Sequence, residues 1–217
     1  MRYLIAAVVL ALGVFGLTSS ASAQVEPPGW YGYVVTGSTY TSTTADWTMP
    51  TLTCGANSSG YYAAIWTGLD GYQSATVEQI GAEVACENKT AGYFGWYDLY
   101  PQAPVDFSNP LKPGDQLAAS VTYDGSSKFT LTLDDLTAGW KQTVAKTLSG
   151  TARSSAESIV EAPDNLSCAP TVTLADFTSD TVDGSALGNL NPTKVTGSDP
   201  HIIVSDVSGK TFKVTCS

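Results

Sequence analysis

The chain has 217 residues, with 10 Lys and Arg against 20 Asp and Glu and a formal net charge of −10 at pH 7. An acidic surface repels nucleic acid and anionic membranes, so neither is expected as a partner. In an acidic medium many of these carboxylates are protonated and repel each other less, so the composition suits low pH.

The first residues predict a secretory signal peptide. Arg2 supplies the positive charge, an apolar run covers residues 4–17, and small residues at 21–23 form the cleavage site. The apolar run is too short to span a bilayer. We therefore expect a secreted, extracellular protein, with residues 1–23 as signal peptide, residues 24–217 as a single domain, and a monomeric state.

Short alternating or β-branched runs between Gly and Pro turn signals predict β-strands along the remaining chain. Roughly a dozen are found, at 31–37, 43–49, 61–69, 75–84, 93–100, 116–123, 128–133, 140–148, 155–162, 172–177, 201–207 and 210–215. No sustained apolar period of a helix follows the signal segment, so the predicted fold is an all-β, two-sheet antiparallel β-sandwich. Residues 178–200, rich in Ser, Thr, Asp and Gly, are expected to form a long surface loop or a weak edge strand.

An even set of four cysteines in an exported chain indicates two disulfides, for which three pairings are possible. We favour the pairs Cys54–Cys86 and Cys168–Cys216. Paired cysteines are not available as nucleophiles, and neither CxxC nor a Cys/His spacing suggests a zinc site.

The single histidine, His201, narrows the possible chemistry. A Ser/His/Asp triad or a two-histidine zinc site would lack its usual parts, and the HExxH, GxSxG and P-loop motifs are absent. We expect neither a metal nor another cofactor. The side chains left for catalysis are carboxylates, amides, tyrosines and tryptophans.

Residues two apart in a strand share a face, and this period gathers polar and aromatic side chains. Four strand segments place the following residues opposite aliphatic neighbours: Trp66 and Asp70; Gln79 and Glu83; Phe94, Trp96 and Asp98; Glu157 and Glu161. If the aliphatic faces pack against the second sheet, the other faces line a groove. Glu78 breaks the pattern because it shares a face with Ile80. The alternative is that the carboxylates are ordinary solvent-facing residues and the tryptophans belong to the core.

Seven motifs then occur in a fixed order: GWYGYV at 29–34, WTMP at 47–50, IWTGLDG at 65–71, VEQIG at 77–81, WYDLYP at 96–101, PGD at 113–115 and AESIVE at 156–161. In this order and spacing they resemble the glutamic peptidases, or eqolisins. The resemblance implies a lectin-like β-sandwich with the active site in a concave face, Glu161 as the catalytic glutamate and Gln79 as its partner. It also places further residues in the substrate groove: Trp30, Trp66, Asp70, Glu83, Trp96, Asp98 and Glu157.

Two positions depart from the family pattern. The family usually has Glu where Asp98 stands and an acidic residue where Phe94 stands, so the hydrogen bonds that support the site can differ from those of the family.

The resemblance implies a secreted acid endopeptidase that acts on polypeptides. A glutamate with a raised pKa can take a proton from the attacking water and return it to the leaving amine, while a neutral amide donates N–H to the oxyanion. Trp66 and Trp96 are expected to contact substrate. Two alternatives remain: a non-catalytic β-sandwich that binds carbohydrate or peptide in an aromatic groove, and a glycosidase with two carboxylates.

Overall fold

The alternating strands pair into two antiparallel sheets in the computed structural model, which describes residues 29–54, 62–162 and 172–217. The predicted signal peptide lies outside the described residues. Helical structure in the described part of the chain is limited to one 3-10 turn, Leu187–Leu190. No helix in these ranges has the length and apolar character needed to cross a membrane.

The described residues contain fifteen strands in chain order. They are β1 (Trp30–Thr36), β2 (Ser42–Thr48), β3 (Tyr62–Asp70), β4 (Val77–Glu87), β5 (Thr90–Tyr100), β6 (Val105–Asp106), β7 (Gln116–Gly125), β8 (Lys128–Asp135), β9 (Trp140–Thr147), β10 (Ser155–Glu161), β11 (Thr173–Val182), β12 (Ser185–Ala186), β13 (Thr193–Thr196), β14 (Ile202–Val204) and β15 (Phe212–Cys216). Sheet A has the order β13-β1-β10-β3-β4-β5-β6, and sheet B has the order β14-β15-β11-β2-β7-β8-β9, with β12 paired to β11.

The predicted all-β sandwich is therefore confirmed, and each predicted strand exists with shifted ends. The main difference falls in residues 178–200, which contain the end of β11, the two-residue β12, the 3-10 turn and β13 at the edge of sheet A. A register shift between Thr178 and Thr181 interrupts the pairing of β11 with β2. Such a bulge breaks the two-residue period, which is why the sequence pattern ended too early.

The two faces of sheet A are both apolar but pack differently. One face, here called the core face, carries Ile65, Leu69 and Ile80, which join the main cluster with sheet B residues such as Leu131 and Phe177. The opposite face, here called the site face, carries a second cluster: Trp30, Val34, Ala64, Trp66, Tyr72, Trp96, Ile159 and Val195. The predicted division of side chains between the two faces is thus observed.

A disulfide joins Cys54 to Cys86 across 32 residues of sequence, as predicted. A crosslink of this kind stabilises a domain by about 2–4 kcal/mol. Cys216 is also disulfide-bonded. Cys168 lies outside the described residues, so the pair Cys168–Cys216 stays a prediction.

Glu78 is the exception on the core face, as its sequence position indicated. Its side chain is fully buried, and neither carboxyl oxygen has a hydrogen-bond partner among the described residues. Burial raises the pKa of Glu78 to about 8, and the Asp70 carboxyl adds to the rise, while the Thr76 hydroxyl and Arg153 act against it. The folded protein therefore holds this carboxyl protonated at acid and neutral pH.

We expect stability to fall between about pH 4.5 and pH 8. The folded state binds the Glu78 proton more tightly than the unfolded state, so the stabilisation is complete below the unfolded pKa and is lost as the pH rises through the folded pKa. Urea unfolding at pH 4, 6 and 8 should show a loss on the order of several kcal/mol in the wild type. Glu78→Gln should make this dependence less steep, because only the other buried carboxyls still contribute, whereas Glu87→Gln, at an exposed position, should leave it unchanged. An equally steep dependence in Glu78→Gln would contradict the assignment.

Candidate active site

The register of sheet A fixes where the predicted site residues stand. One row across β10, β3, β4 and β5 contains Glu161, Ala64, Glu83 and Phe94. A parallel row contains Glu157, Gly68, Gln79 and Asp98. These rows lie four residues apart, or about 13 Å along the strands.

Between the two rows lies a third, formed by Ile159, Trp66, Gly81 and Trp96. Glu161, Trp66 and Gln79 therefore occupy a diagonal of the site face, one on each of three neighbouring strands. The backbones at Glu161 and Gln79 are roughly 16 Å apart if the sheet is taken as flat. Their side chains both project from this face, on either side of Trp66.

Glu161 keeps partial exposure at the end of β10. Burial raises its pKa to about 7, the indole groups of Trp30 and Trp66 oppose this rise, and the carboxyls of Glu83 and Asp98 add to it. A carboxyl with this pKa can hold or release a proton near neutral pH and is a stronger base than an ordinary glutamate.

Gln79 is oriented by its neighbour on β5. Its Nε2 atom donates a hydrogen bond of 3.2 Å to Oδ2 of Asp98. Burial raises the pKa of Asp98 to about 6, against the lowering effect of the hydrogen bonds from Gln79 and the Leu99 backbone. Since an amide nitrogen carries two hydrogens, one N–H of Gln79 stays free for a ligand.

Glu157 stands in the same row as Gln79, separated from it by Gly68, which has no side chain. It is nevertheless fully buried. A Cβ atom at Gly71 would lie 3.3 Å from Oε1 of Glu157, so the turn after β3 covers this carboxyl. Burial holds the pKa of Glu157 well above its ordinary value. The two glutamates of the AESIVE motif thus differ in exposure: Glu157 is shielded from water, whereas Glu161 is partly exposed.

Asp70 ends β3 with a positive φ of 63° and is fully buried. Its Oδ1 atom accepts hydrogen bonds from the Ser154 backbone at 2.9 Å and the Ser154 hydroxyl at 3.3 Å. Its Oδ2 atom accepts from the Arg153 backbone at 2.6 Å and the Thr76 hydroxyl at 3.3 Å. Both oxygens are occupied by the segment that leads into β10, so these contacts favour a structural role over the expected contact with substrate.

The tryptophans form the floor of the site face. Trp30 and Trp66 meet edge to face with ring centroids 4.8 Å apart. Trp66 is 0% exposed, whereas Trp30 and Trp96 are each 8% exposed. The burial of Trp66 does not support the expected contact with substrate and places it beneath the surface, while Trp30 and Trp96 reach that surface.

Glu83 completes the predicted set and is partly buried on β4. Burial raises its pKa, and the carboxyls of Asp106 and Glu87 add to the rise. Only Ala64 stands between Glu83 and Glu161 in their row. The described residues contain no group of three or more His, Cys, Asp or Glu side chains placed to hold a metal ion.

Sequence reasoning missed two supporting residues. Tyr72, in the turn between β3 and β4, is 3% exposed and packs in the site-face cluster, and no strand period could place it there. Gly81 leaves room for Trp66, since a Cβ atom at this position would lie 2.6 Å from the Trp66 Cβ. A glycine inside a strand is a signal for such a close approach.

Comparison with known proteins agrees with this geometry, since the sequence profile of the Peptidase A4 family matches residues 28–217. The chain belongs to the Peptidase A4 family. Aspergillopepsin-2 from Aspergillus niger is 31% identical over 174 residues, which cover 69% of this chain and 60% of that protein. Scytalidopepsin B from Scytalidium lignicola is 30% identical over 154 residues, covering 68% of this chain and 56% of the relative. The alignments thus span less than two thirds of either relative's length.

Solved structures show the same fold. Scytalido-glutamic peptidase with a transition state analogue inhibitor superposes with a TM-score of 0.71 at 25% identity, covering 89% of this chain and 100% of that one. Aspergilloglutamic peptidase from Aspergillus niger gives 0.55 at 24% identity, with 72% and 99% covered. The resemblance to glutamic peptidases seen in the motifs is thereby confirmed.

We expect Trp66→Ala to destabilise the fold by about 3–5 kcal/mol, because the ring is fully buried between Trp30 and the strands around it. Trp140→Ala, in the partly exposed end of β9, is the matched control and should cost less. Chemical unfolding at pH 4 measures both. A near-native stability of Trp66→Ala would show that the ring fills no part of the core.

Proposed function

We propose that this protein is an endopeptidase of the glutamic type that works at acid pH. The observation that carries the proposal is the placement of a partly exposed carboxyl with a raised pKa, Glu161, on the same face as an oriented amide, Gln79. Membership of the Peptidase A4 family supports peptide bonds rather than glycosides as the target. The names of the relatives, aspergillopepsin-2 and scytalidopepsin B, and the solved scytalido-glutamic peptidase support the same reaction.

The proposed reaction uses Glu161 to carry a proton. Ionised Glu161 takes a proton from a water molecule as the water oxygen bonds to the scissile carbonyl carbon. The free N–H of Gln79 donates to the oxyanion that forms. Glu161 then gives its proton to the amide nitrogen as the C–N bond breaks, which releases an amine and a carboxylic acid and restores the ionised glutamate.

Asp98 has a positioning role in this proposal. By accepting from Nε2 of Gln79, it keeps the amide nitrogen on the site face and prevents rotation of the amide. Its carboxyl and that of Glu83 add to the electrostatic field around Glu161. The three carboxyls titrate together, and the competent state has one negative charge, on Glu161.

We also propose that residues 1–23 are a signal peptide, that residues 24–217 form the mature single-domain, monomeric enzyme, and that it acts outside the cell on polypeptides. The Cys54–Cys86 disulfide supports export, because such bonds persist in oxidising compartments.

The decisive variants are Glu161→Gln and Gln79→Glu, which alter chemistry with little change of volume. A glutamine at 161 cannot carry the proton, and a carboxylate at 79 repels the oxyanion. Each variant should lose about two to four orders of magnitude in kcat for denatured casein at pH 4. Glu87→Gln and Gln116→Glu make the same exchanges at exposed positions and should retain activity.

Retained cleavage by Glu161→Gln or Gln79→Glu, with an unchanged circular dichroism spectrum, would remove that residue from the chemistry. A wild-type protein that binds peptide but cleaves none between pH 2 and pH 7 would instead indicate a binding module.

The pH dependence gives a separate test. As the pH rises past about 6, Asp98 ionises on the same face of the sheet as Glu161 and adds a second negative charge to the site. We therefore expect kcat/KM for casein peptides to rise from pH 4 as Glu161 ionises, to peak between about pH 6 and pH 7, and to fall towards pH 8. Asp98→Asn should shift this decline to higher pH. A profile that rises up to pH 8 would contradict the proposed charge state.

A further inference from the structure

Phe94 is an exposed aromatic residue on the site face. It is 36% exposed and belongs to neither apolar cluster. The other large apolar side chains with high exposure in the described ranges lie in a turn or on short edge strands: Leu136 after β8, Val105 on β6 and Ile203 on β14. Phe94 instead stands directly beside Glu83, in the row that begins at Glu161.

Small residues next to Phe94 leave space for its ring. A Cβ atom at Gly92 would lie 2.8 Å from Cζ and 3.0 Å from Cε2 of this ring. Gly92 is not among the glycines with positive φ, so its backbone does not require a glycine. The missing side chain serves instead to let the ring lie back along the strand. Ala85 pairs with Gly92, so the neighbouring strand also has only a small side chain at this position.

The distance to the proposed catalytic pair sets which substrate residue can reach this ring. The midpoint between Glu161 and Gln79 is roughly 12 Å from Phe94 across the sheet. An extended peptide advances about 3.3 Å per residue. The side chain above Phe94 therefore belongs to a residue about three or four positions from the cleaved bond, on one side of it.

We propose that Phe94, whose ring lies over Gly92, forms a specificity subsite that binds a large apolar side chain of the peptide substrate. This proposal rests on the proposed peptidase function. It adds a preference for a large apolar substrate side chain, which the peptidase function alone does not specify. A Leu, Met or aromatic side chain placed there covers the exposed ring and removes apolar surface from water. Three carboxyls lie in this region, those of Glu83, Asp106 and Glu87. A cationic substrate side chain is therefore the competing occupant.

Matched peptides test the subsite. Each peptide has one cleavage site and carries Leu, Asn or Lys at the third or fourth position on either side of the bond. The wild type should cleave the Leu peptide roughly tenfold faster in kcat/KM than the Asn peptide, at one side only. In Phe94→Ala this ratio should fall to about twofold or less. Gly92→Ala, which displaces the ring, should lower the ratio as well, and Leu136→Ala should keep the wild-type ratio.

The same ratios in Phe94→Ala and the wild type would overturn the proposal, and so would a preference for Lys over Leu at that position. Binding of the uncleaved peptides to Glu161→Gln, measured by fluorescence anisotropy, separates this subsite from the chemistry. A Leu preference in binding that disappears in Glu161→Gln/Phe94→Ala supports the subsite even if the wild type cleaves nothing. The absence of any Leu preference in both binding and cleavage rejects it even if casein is hydrolysed.

Discussion

Sheet A carries several carboxyl groups that lose their contact with water when the protein folds. The sheet has to be apolar on its core face to pack against sheet B, and the site-face cluster makes its other face apolar too. Carboxyls placed on such a sheet lose water on either face. Burial is accordingly the leading cause of the raised pKa of Glu78, Glu83, Asp98, Glu157 and Glu161.

The same physical effect has different consequences at different depths. Glu78 and Glu157 are fully buried and remain neutral, so they act through stability. Glu161 retains partial exposure, so its raised pKa is available to a proton transfer with water. Low pH therefore favours the fold, because it limits the number of charges on a sheet that solvates them poorly.

Much of this arrangement is predictable from the sequence. The two-residue period assigned Ile65 and Ile80 to the core face and Trp96 and Asp98 to the site face, because both strands are regular and both faces have a distinct composition. Periodicity cannot say which carboxyl and which amide form a catalytic pair. The motifs supplied that expectation by pointing to Glu161 and Gln79. The strand period also marked Glu78 as a misfit, and the structure shows it as a buried carboxyl.

How deeply each side chain of the site face is buried could not be predicted from the sequence. Period and motif treat Glu157 and Glu161 alike, and only the turn at Gly71 shows that the first is covered. Trp66 and Trp96 also share a face, yet Trp66 lies underneath because Gly81 allows it to sit close to the backbone. The hydrogen bonds of Asp70 come from Arg153 and Ser154, residues far away in the chain. Such long-range contacts leave no pattern in a single sequence.

The proposed role of Glu161 requires a raised pKa in a carboxyl that water can reach. Carbon-13 NMR of glutamate side chains, recorded between pH 3 and pH 9 in the wild type and in Glu161→Gln, measures this pKa. We expect a carboxyl resonance that titrates near pH 7 in the wild type and is missing from the variant. Titration of the Glu161 resonance near its ordinary value of about 4.5 would contradict it.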